Sequence, residues 1–455
     1  MHQPVADSIP AVLIKRNFAS EWSLSLRRNE TGILQHAIIH SRRERELYLN
    51  MKNTKRRKVE TISTYDILPY LTANKERIKE ELLELVRAES PSHDKDLLFD
   101  CEQTIKRIFT THFGDLFELE QFPMEHTGNH FKYEIPAQPG PRILFLSHYD
   151  TVWDKGVLPI KEKQGRIYGP GIFDMKAGLL CSIWSVKALL QTKGSLPFSP
   201  VFLFTGDEEI GSSTSKEIIE RVARTCDAVF VMEPPTARSY SLKIERKGVG
   251  EYKIKTTGIS AHAGNHHKDG ASAILEMSKI IQQLEGLTDY KKGTTVNVGK
   301  INGGSVSNVI PELAEIEVDF RVRNMEEARR VQYSIESLTV SNPEVDIFIE
   351  GGLNRPPLER TEENISLFEV AKAAGRRLGM EVKAASVGGG SDGNFTSAIG
   401  IPTLDGLGIP GGGPHARSEH VKFDLFPEKC ALVAETLIQL TTKGWNLHPG
   451  TTSVK

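Results

Sequence analysis

The stretch Leu203-Phe204-Thr205-Gly206-Asp207-Glu208-Glu209-Ile210-Gly211 carries an apolar strand straight into three consecutive carboxylates. Acids crowded at the carboxyl end of a buried strand repel one another, and a chain tolerates that mainly where a cation or a proton-transfer role absorbs the charge. The plainer alternative is an acidic turn at a helix start, where carboxylates favour the helix dipole. The surrounding sequence decides between them. Upstream, 143–147 reads as a central strand and 177–191 as a helix. Then strand (201–205), helix (213–224) and strand (228–232) alternate, the pattern of crossover units on a mainly parallel sheet with helices on both faces.

Further out, Ile78, Leu82 and Leu85 recur at helical spacing, followed by a helix over 95–112 and strands over 116–122 and 131–135. On the other side the alternation stops near Lys243. From there the order is strand (249–257), helix (271–285), strand (294–301), strand (314–322), helix (325–338) and strand (345–350), a βαββαβ, ferredoxin-like unit. The first rhythm resumes after Pro356-Pro357 with a helix over 364–378, strands at 381–386 and 402–407, and a final helix over 427–441. The expected fold is therefore α/β. A discontinuous domain (66–245 and 356–445) that carries the catalytic layer is interrupted by an inserted α+β domain (246–355).

A chain of 455 residues is long enough for two substantial cores. With 39% hydrophobic and 25% charged residues and a net charge of -2, it has no electrostatic bias toward nucleic acid or an anionic membrane. No apolar run approaches the ~18 residues of a membrane span. Cys101, Cys181, Cys226 and Cys430 show no C-x-x-C spacing, which fits a reducing, cytoplasmic setting. Residues 1–65 are rich in basic residues and lack apolar periodicity, so they are expected to form a poorly ordered leader, with Met51 as an alternative start; 446–455 read as a tail.

Sites in open parallel sheets form at the carboxyl ends of the strands. His148-Tyr149-Asp150 follows the strand at 143–147, and alternate strand residues share a face, so Asp150 can hold the tautomer of His148. The turn Gly169-Pro170-Gly171-Ile172-Phe173-Asp174 delivers one carboxylate just before a helix, which it could equally cap. Glu208 and Glu209 follow, then Glu233 ahead of Pro234-Pro235, and finally His415 among glycines. Two imidazoles and several carboxylates without thiolate favour zinc, manganese or cobalt in a hydrolytic site. A carboxylate bridging two ions would hold them ~3.5–4 Å apart, close enough to activate one water. The glycine clusters 388–390 and 411–413 are not phosphate cradles, since neither has the lysine of a P-loop nor a dinucleotide context.

These residues resemble the zinc-dependent exopeptidases and deacylases: glutamate carboxypeptidase, acetylornithine deacetylase, succinyl-diaminopimelate desuccinylase and aminoacylase. The resemblance runs in order from about 70 to 445. It rests on His148-x-Asp150-Thr151, Gly171-x-x-Asp174-x-Lys176, Asp207-Glu208-Glu209-x-Gly211, Glu233-Pro234, Ser260-Ala261-His262-Ala263-Gly264, Gly303 to Pro311 and His415-x-x-x-Glu419. It is closest to the glutamate carboxypeptidase branch.

The resemblance implies two zinc ions per chain, with cobalt or manganese as substitutes. His148 and Glu233 would hold one ion, Glu209 and His415 the other, and Asp174 would bridge them. It makes Glu208 the general base, Asp150 the support of His148, the inserted domain (246–355) a lid, and His262 an oxyanion stabiliser reaching across a homodimer paired through that lid. Asn308, Arg321, Arg355, Gly389 and Gly390 would contact the substrate, with Arg355 forking onto a terminal carboxylate. Arg321 reads equally as a strand-face charge paired with Glu317 or Asp319. The implied substrate is an N-acyl amino acid or short peptide with a free carboxylate. A deacylase or dipeptidase of the same family is the nearest alternative, and a non-catalytic metal-binding protein a more distant one.

Overall fold

The computed structural model describes residues 66–135 and 140–442. The expectations for the leader, the Met51 start and the tail lie outside the described residues. In chain order, helices α1 (Ile67–Ala73), α2 (Lys75–Arg87) and α3 (Lys95–Phe113) lead into strands β1 (Glu118–Phe122), β2 (His130–Glu134) and β3 (Arg142–His148). Short strands β4 (Lys161–Lys163) and β5 (Arg166–Tyr168) precede helix α4 (Ala177–Lys193). Next come β6 (Ser199–Thr205), α5 (Lys216–Ala223), β7 (Ala228–Val231) and β8 (Leu242–Arg246). The middle of the chain forms β9 (Gly248–Thr257), α6 (Ala273–Glu285), β10 (Thr295–Gly303), β11 (Leu313–Val322), α7 (Met325–Glu336) and β12 (Asp346–Arg355). The rest forms α8 (Glu362–Arg377), β13 (Ala384–Val387), α9 (Gly393–Ala398), β14 (Thr403–Asp405), β15 (Gly411–Gly412), β16 (His420–Lys422) and α10 (Phe426–Thr442).

The largest sheet has the order β1-β2-β6-β3-β7-β14-β8-β13. It is mixed rather than mainly parallel. β6, β3, β7 and β14 run parallel at its centre, whereas β1 pairs antiparallel with β2, β2 with β6, and β14 with β8. The departures have a common cause: a parallel return needs a crossover of a dozen or more residues, usually helical. The links β1–β2 and β7–β8 contain no helix.

β6 and β7 are buried along their whole length, and β3 at all but its first residue, which is why they read as continuous apolar runs rather than alternating ones. On one face Leu144, Leu146, Val201, Leu203 and Val231 pack against Ile218, Ile219 and Val222 of α5 and Phe395 of α9. On the other, Phe145 stacks on Phe202 at 4.9 Å, and Phe202 meets Phe109 of α3 edge-on at 5.1 Å. Each such side chain, fully buried, contributes roughly 1.5–3 kcal/mol. α4 is apolar all round because it is enclosed, with Leu179, Leu180, Ile183 and Trp184 all inaccessible.

The βαββαβ segment builds a separate antiparallel sheet, β10-β11-β9-β12. β9 alternates buried and exposed residues, so Tyr252 and Ile254 join Met277 and Ile280 of α6 and Val331 of α7 in a second core. The opposite face presents Glu251, Lys253 and Lys255 to solvent. Side chains of Ser272 and Asn324 cap α6 and α7, each worth about 1 kcal/mol. A third sheet, β15-β16-β5-β4, consists of strands of two or three residues, too short to show a period in sequence. No described helix is long and apolar enough to cross a membrane.

Candidate metal centre and active-site cleft

Because β6, β3 and β7 are parallel neighbours, their carboxyl ends deliver Asp207–Glu209, His148–Asp150 and Glu233 to one place. His148 Nε2 lies 3.3 Å from Asp174 Oδ1 and 3.5 Å from Glu233 Oε1. His415 Nε2 lies 3.5 Å from Asp174 Oδ2 and 3.2 Å from Glu209 Oε2. Asp174 therefore turns one oxygen toward each imidazole, and the five residues expected as ligands come together in two overlapping sets of contacts, across which ligand atoms of His148, Asp174 and Glu209 lie within 4.8 Å of one another. One is His148, Asp174 and Glu233; the other is Asp174, Glu209 and His415.

The surrounding shell fixes these groups. Asp150 is fully buried, and its carboxylate accepts the amides of Glu208 and Glu209, both at 3.1 Å, and the Ser92 hydroxyl at 2.8 Å. His148 Nδ1 donates to the Asp150 carbonyl oxygen at 3.1 Å, leaving Nε2 free as a ligand. One residue thus orients both an imidazole and the acidic turn. Asp207 accepts from the Thr214 amide and hydroxyl and from the Ser215 amide, and so shapes that turn from below.

The Asp174 turn is anchored by the carboxylate of Glu419, which accepts the amides of Gly171, Phe173 and Asp174 and the Trp153 indole N–H. Gly171 sits at φ +66, and a Cβ there would stand 2.2 Å from Thr151 Cγ2, so only glycine lets the turn close. Glu233 Oε2 accepts from Arg246 Nη2 at 2.8 Å, which directs Oε1 toward His148. Arg246 also donates to Asp405 at 2.8 and 3.0 Å and to the carbonyl oxygens of Gly389 and Gly390.

The electrostatics are those of a site short of positive charge. Burial pushes Glu209 up to about 8, and its Oε1 has no hydrogen-bond partner. Burial also raises Glu208, against the pull of Arg355. Burial and the facing Asp174 would raise Glu233, yet Arg246, Lys243 and the hydrogen bond from His148 pull the other way, and it comes down to about 2. Burial would raise Asp174 as well, but hydrogen bonds from His148 and His415 hold it well below the usual carboxylate range. The hydrogen bonds that His415 donates to Asp174 and Glu209 push it up to about 10. An orphaned buried oxygen and nitrogen-plus-oxygen donors with no thiolate fit hard or borderline cations of the zinc class.

A cleft of about 430 Å³ opens over these groups. Gly389 and Gly390 line it, as the sequence suggested, and so do Lys243 and Arg246, which it missed. Both lie on β8, where three charged residues are buried. Charge at the end of a buried strand was the signal available, masked because the alternation stops there. Arg355 does not line the cleft but lies against Glu208.

His262, Asn308 and Arg321 lie in the β9–β12 unit and do not line the cleft either. His262 Nδ1 accepts the amides of Gly264 and Asn265, so an exposed Nε2 carries the proton. The Asn308 carbonyl accepts the Ala263 amide at 3.0 Å. Arg321 forks onto Asp319, the second of its two readings.

Residues 144–439 match peptidase family M20/M25/M40. The chain is 30% identical over 324 residues to carboxypeptidase G2 of Pseudomonas sp. (strain RS-16), covering 69% of this chain and 77% of that protein. It is 25% identical to succinyl-diaminopimelate desuccinylase of Legionella pneumophila (strain Lens), covering 59% and 76%. Among solved structures, a tripeptidase from Staphylococcus aureus superposes with a TM-score of 0.69 at 23% identity, covering 81% of this chain and 99% of that one. The order of β-strands, the cluster at their ends and these likenesses agree: the chain belongs to peptidase family M20/M25/M40, enzymes of the metallopeptidase and amidohydrolase type.

Proposed function

We propose that this chain is a two-metal hydrolase that cleaves the amide bond of a small N-acyl amino acid or peptide bearing a free carboxylate. The observation that carries the reading is Asp174, set between His148 and His415 with one oxygen toward each. His148 and Glu233 would hold one zinc-class ion and Glu209 and His415 the other, with Asp174 shared between them. Metal bound there would supply Lewis acidity toward the scissile carbonyl and an acidified water. Glu208 lies in the cleft wall, and its raised pKa suits a group that takes the proton of the attacking water and returns it to the leaving nitrogen. Residues 66–245 and 356–445 act as the catalytic domain and 246–355 as lid and dimer contact. The edge of β10, unpaired among the described residues, and the exposed Ile274, Leu275 and Ile301 suit a second copy, to which His262 lends its Nε2 proton. Four buried free cysteines fit a cytoplasmic setting.

The carboxylate preference is supported by Lys243. Its ammonium lines the cleft and reaches Glu233 and Asp405 only at 3.5 and 3.7 Å, whereas Arg246 is saturated by close partners. It is the more loosely held of the two buried cations there, and the one able to turn toward a substrate carboxylate. The likeness to carboxypeptidase G2 favours a carboxypeptidase, and that to a desuccinylase keeps a deacylase as the second reading. The test is a screen of N-acyl amino acids and dipeptides with the zinc-reconstituted protein, repeated for Lys243→Ala. Cleavage of carboxylate-bearing substrates is expected, with KM rising roughly 10–100-fold in the variant, or about 1.4–2.7 kcal/mol, and kcat nearly unchanged. An unchanged KM would remove Lys243 from substrate binding; no hydrolysis of any member would overturn the reading.

A further inference from the structure

We infer that Arg355 is a positioning residue for Glu208 that ties the β12 strand to the base, and is not the clamp for the substrate carboxylate. The inference rests on the hydrolase reading above. Arg355 ends β12 and is 5% exposed. Its Nη2 donates to the Glu208 carboxylate at 2.7 Å, the Glu208 carbonyl oxygen at 3.0 Å, the Ser212 hydroxyl at 2.8 Å and, more weakly, Asp392 at 3.3 Å. Nη1 donates to Asn354 Oδ1 at 2.9 Å. The guanidinium lies over the Phe395 ring, 5.3 Å from its centroid.

These contacts engage Nη2 fully and bury the guanidinium. Gly390 packs so tightly on the Arg355 stem that a Cβ there would stand 2.9 Å from Arg355 Cδ, and this glycine turn screens the stem from the cleft. A substrate carboxylate could reach the guanidinium only by displacing Glu208, the group that must act on the water. The same geometry is well suited to aiming the base. Arg355 takes Glu208 Oε1, leaving Oε2 outside the pair, while Asn354 Nδ2 donates to the Gly211 carbonyl at 3.0 Å. Two consecutive residues of β12 thereby grip both ends of the 208–211 turn. Displacement of the β9–β12 sheet would be felt directly at the base.

The experiment compares wild type with Arg355→Lys and Asn354→Ala, all zinc-loaded, on N-acetyl-L-glutamate and its α-carboxamide, with thermal midpoint and zinc content recorded. Positioning predicts that Arg355→Lys lowers kcat by about 10²-fold on both substrates while KM moves less than about threefold. Asn354→Ala, which keeps the charge, is expected to lower kcat severalfold with the same pattern. A KM rise of about tenfold or more confined to the substrate with a free α-carboxylate, with kcat retained, overturns the proposal in favour of a clamp. If Arg355→Lys does not fold, Asn354→Ala decides: unchanged kcat overturns the proposal. If wild type cleaves neither probe, calorimetric binding of N-acetyl-L-glutamate decides instead. Equal affinity in wild type and Arg355→Lys supports positioning, about tenfold weaker binding in the variant refutes it, and only the hydrolase reading is lost by the missing turnover.

Discussion

Glu208→Gln is expected to lower kcat by about 10³-fold, close to 4 kcal/mol of transition-state stabilisation, while leaving metal content and KM nearly unchanged. The amide matches the carboxylate in shape, and its oxygen can still accept from Arg355, so the turn fixed by Asp150 stays in place. What is lost is the capacity to take a proton. Because Glu208 meets none of the imidazoles at ligand distance, its loss leaves both ligand sets intact. Steady-state kinetics beside elemental analysis of the same preparation checks the point. A variant with a tenth or more of wild-type kcat would remove Glu208 from proton transfer.

Asp174→Ala is expected to cost metal rather than chemistry. Asp174 is the one residue shared by both sets, so its removal leaves each with two side chains, His148 with Glu233 and Glu209 with His415. Retained zinc should fall from about two ions per chain to one or fewer, with turnover lost in parallel. Glu419 would still bind the turn through backbone amides, which alanine retains, so the fold should survive. Retention of both ions after gel filtration would rule out a bridging role.

Much of this arrangement is legible in the chain because the physics is local. An apolar strand that ends in acids, a glycine turn that delivers Asp174, and a glutamate ahead of two prolines each mark a strand end, and parallel strands place their ends together. The βαββαβ order of 248–355 likewise follows from period-two and period-3.6 patterning in segments long enough to display it. Sheet direction was less accessible: whether β8 returns parallel depends on how its connection folds, not on its own residues. Arg246 and Asp405 are 159 positions apart, so their ion pair has no signature within a window of sequence. Arg355 shows the same limit from the other side. The sequence places an arginine near the site, whereas only packing against Glu208, Ser212 and Phe395 shows that it faces the base rather than the cleft.

The central claim is a two-ion centre organised by Asp174, and native mass spectrometry of the metal-stripped chain titrated with zinc addresses it most directly. A mass increase of two zinc ions per chain is expected, with hydrolysis of a carboxylate-bearing N-acyl amino acid appearing as the sites fill. Saturation at one ion with full turnover, or no bound zinc at all, would contradict it.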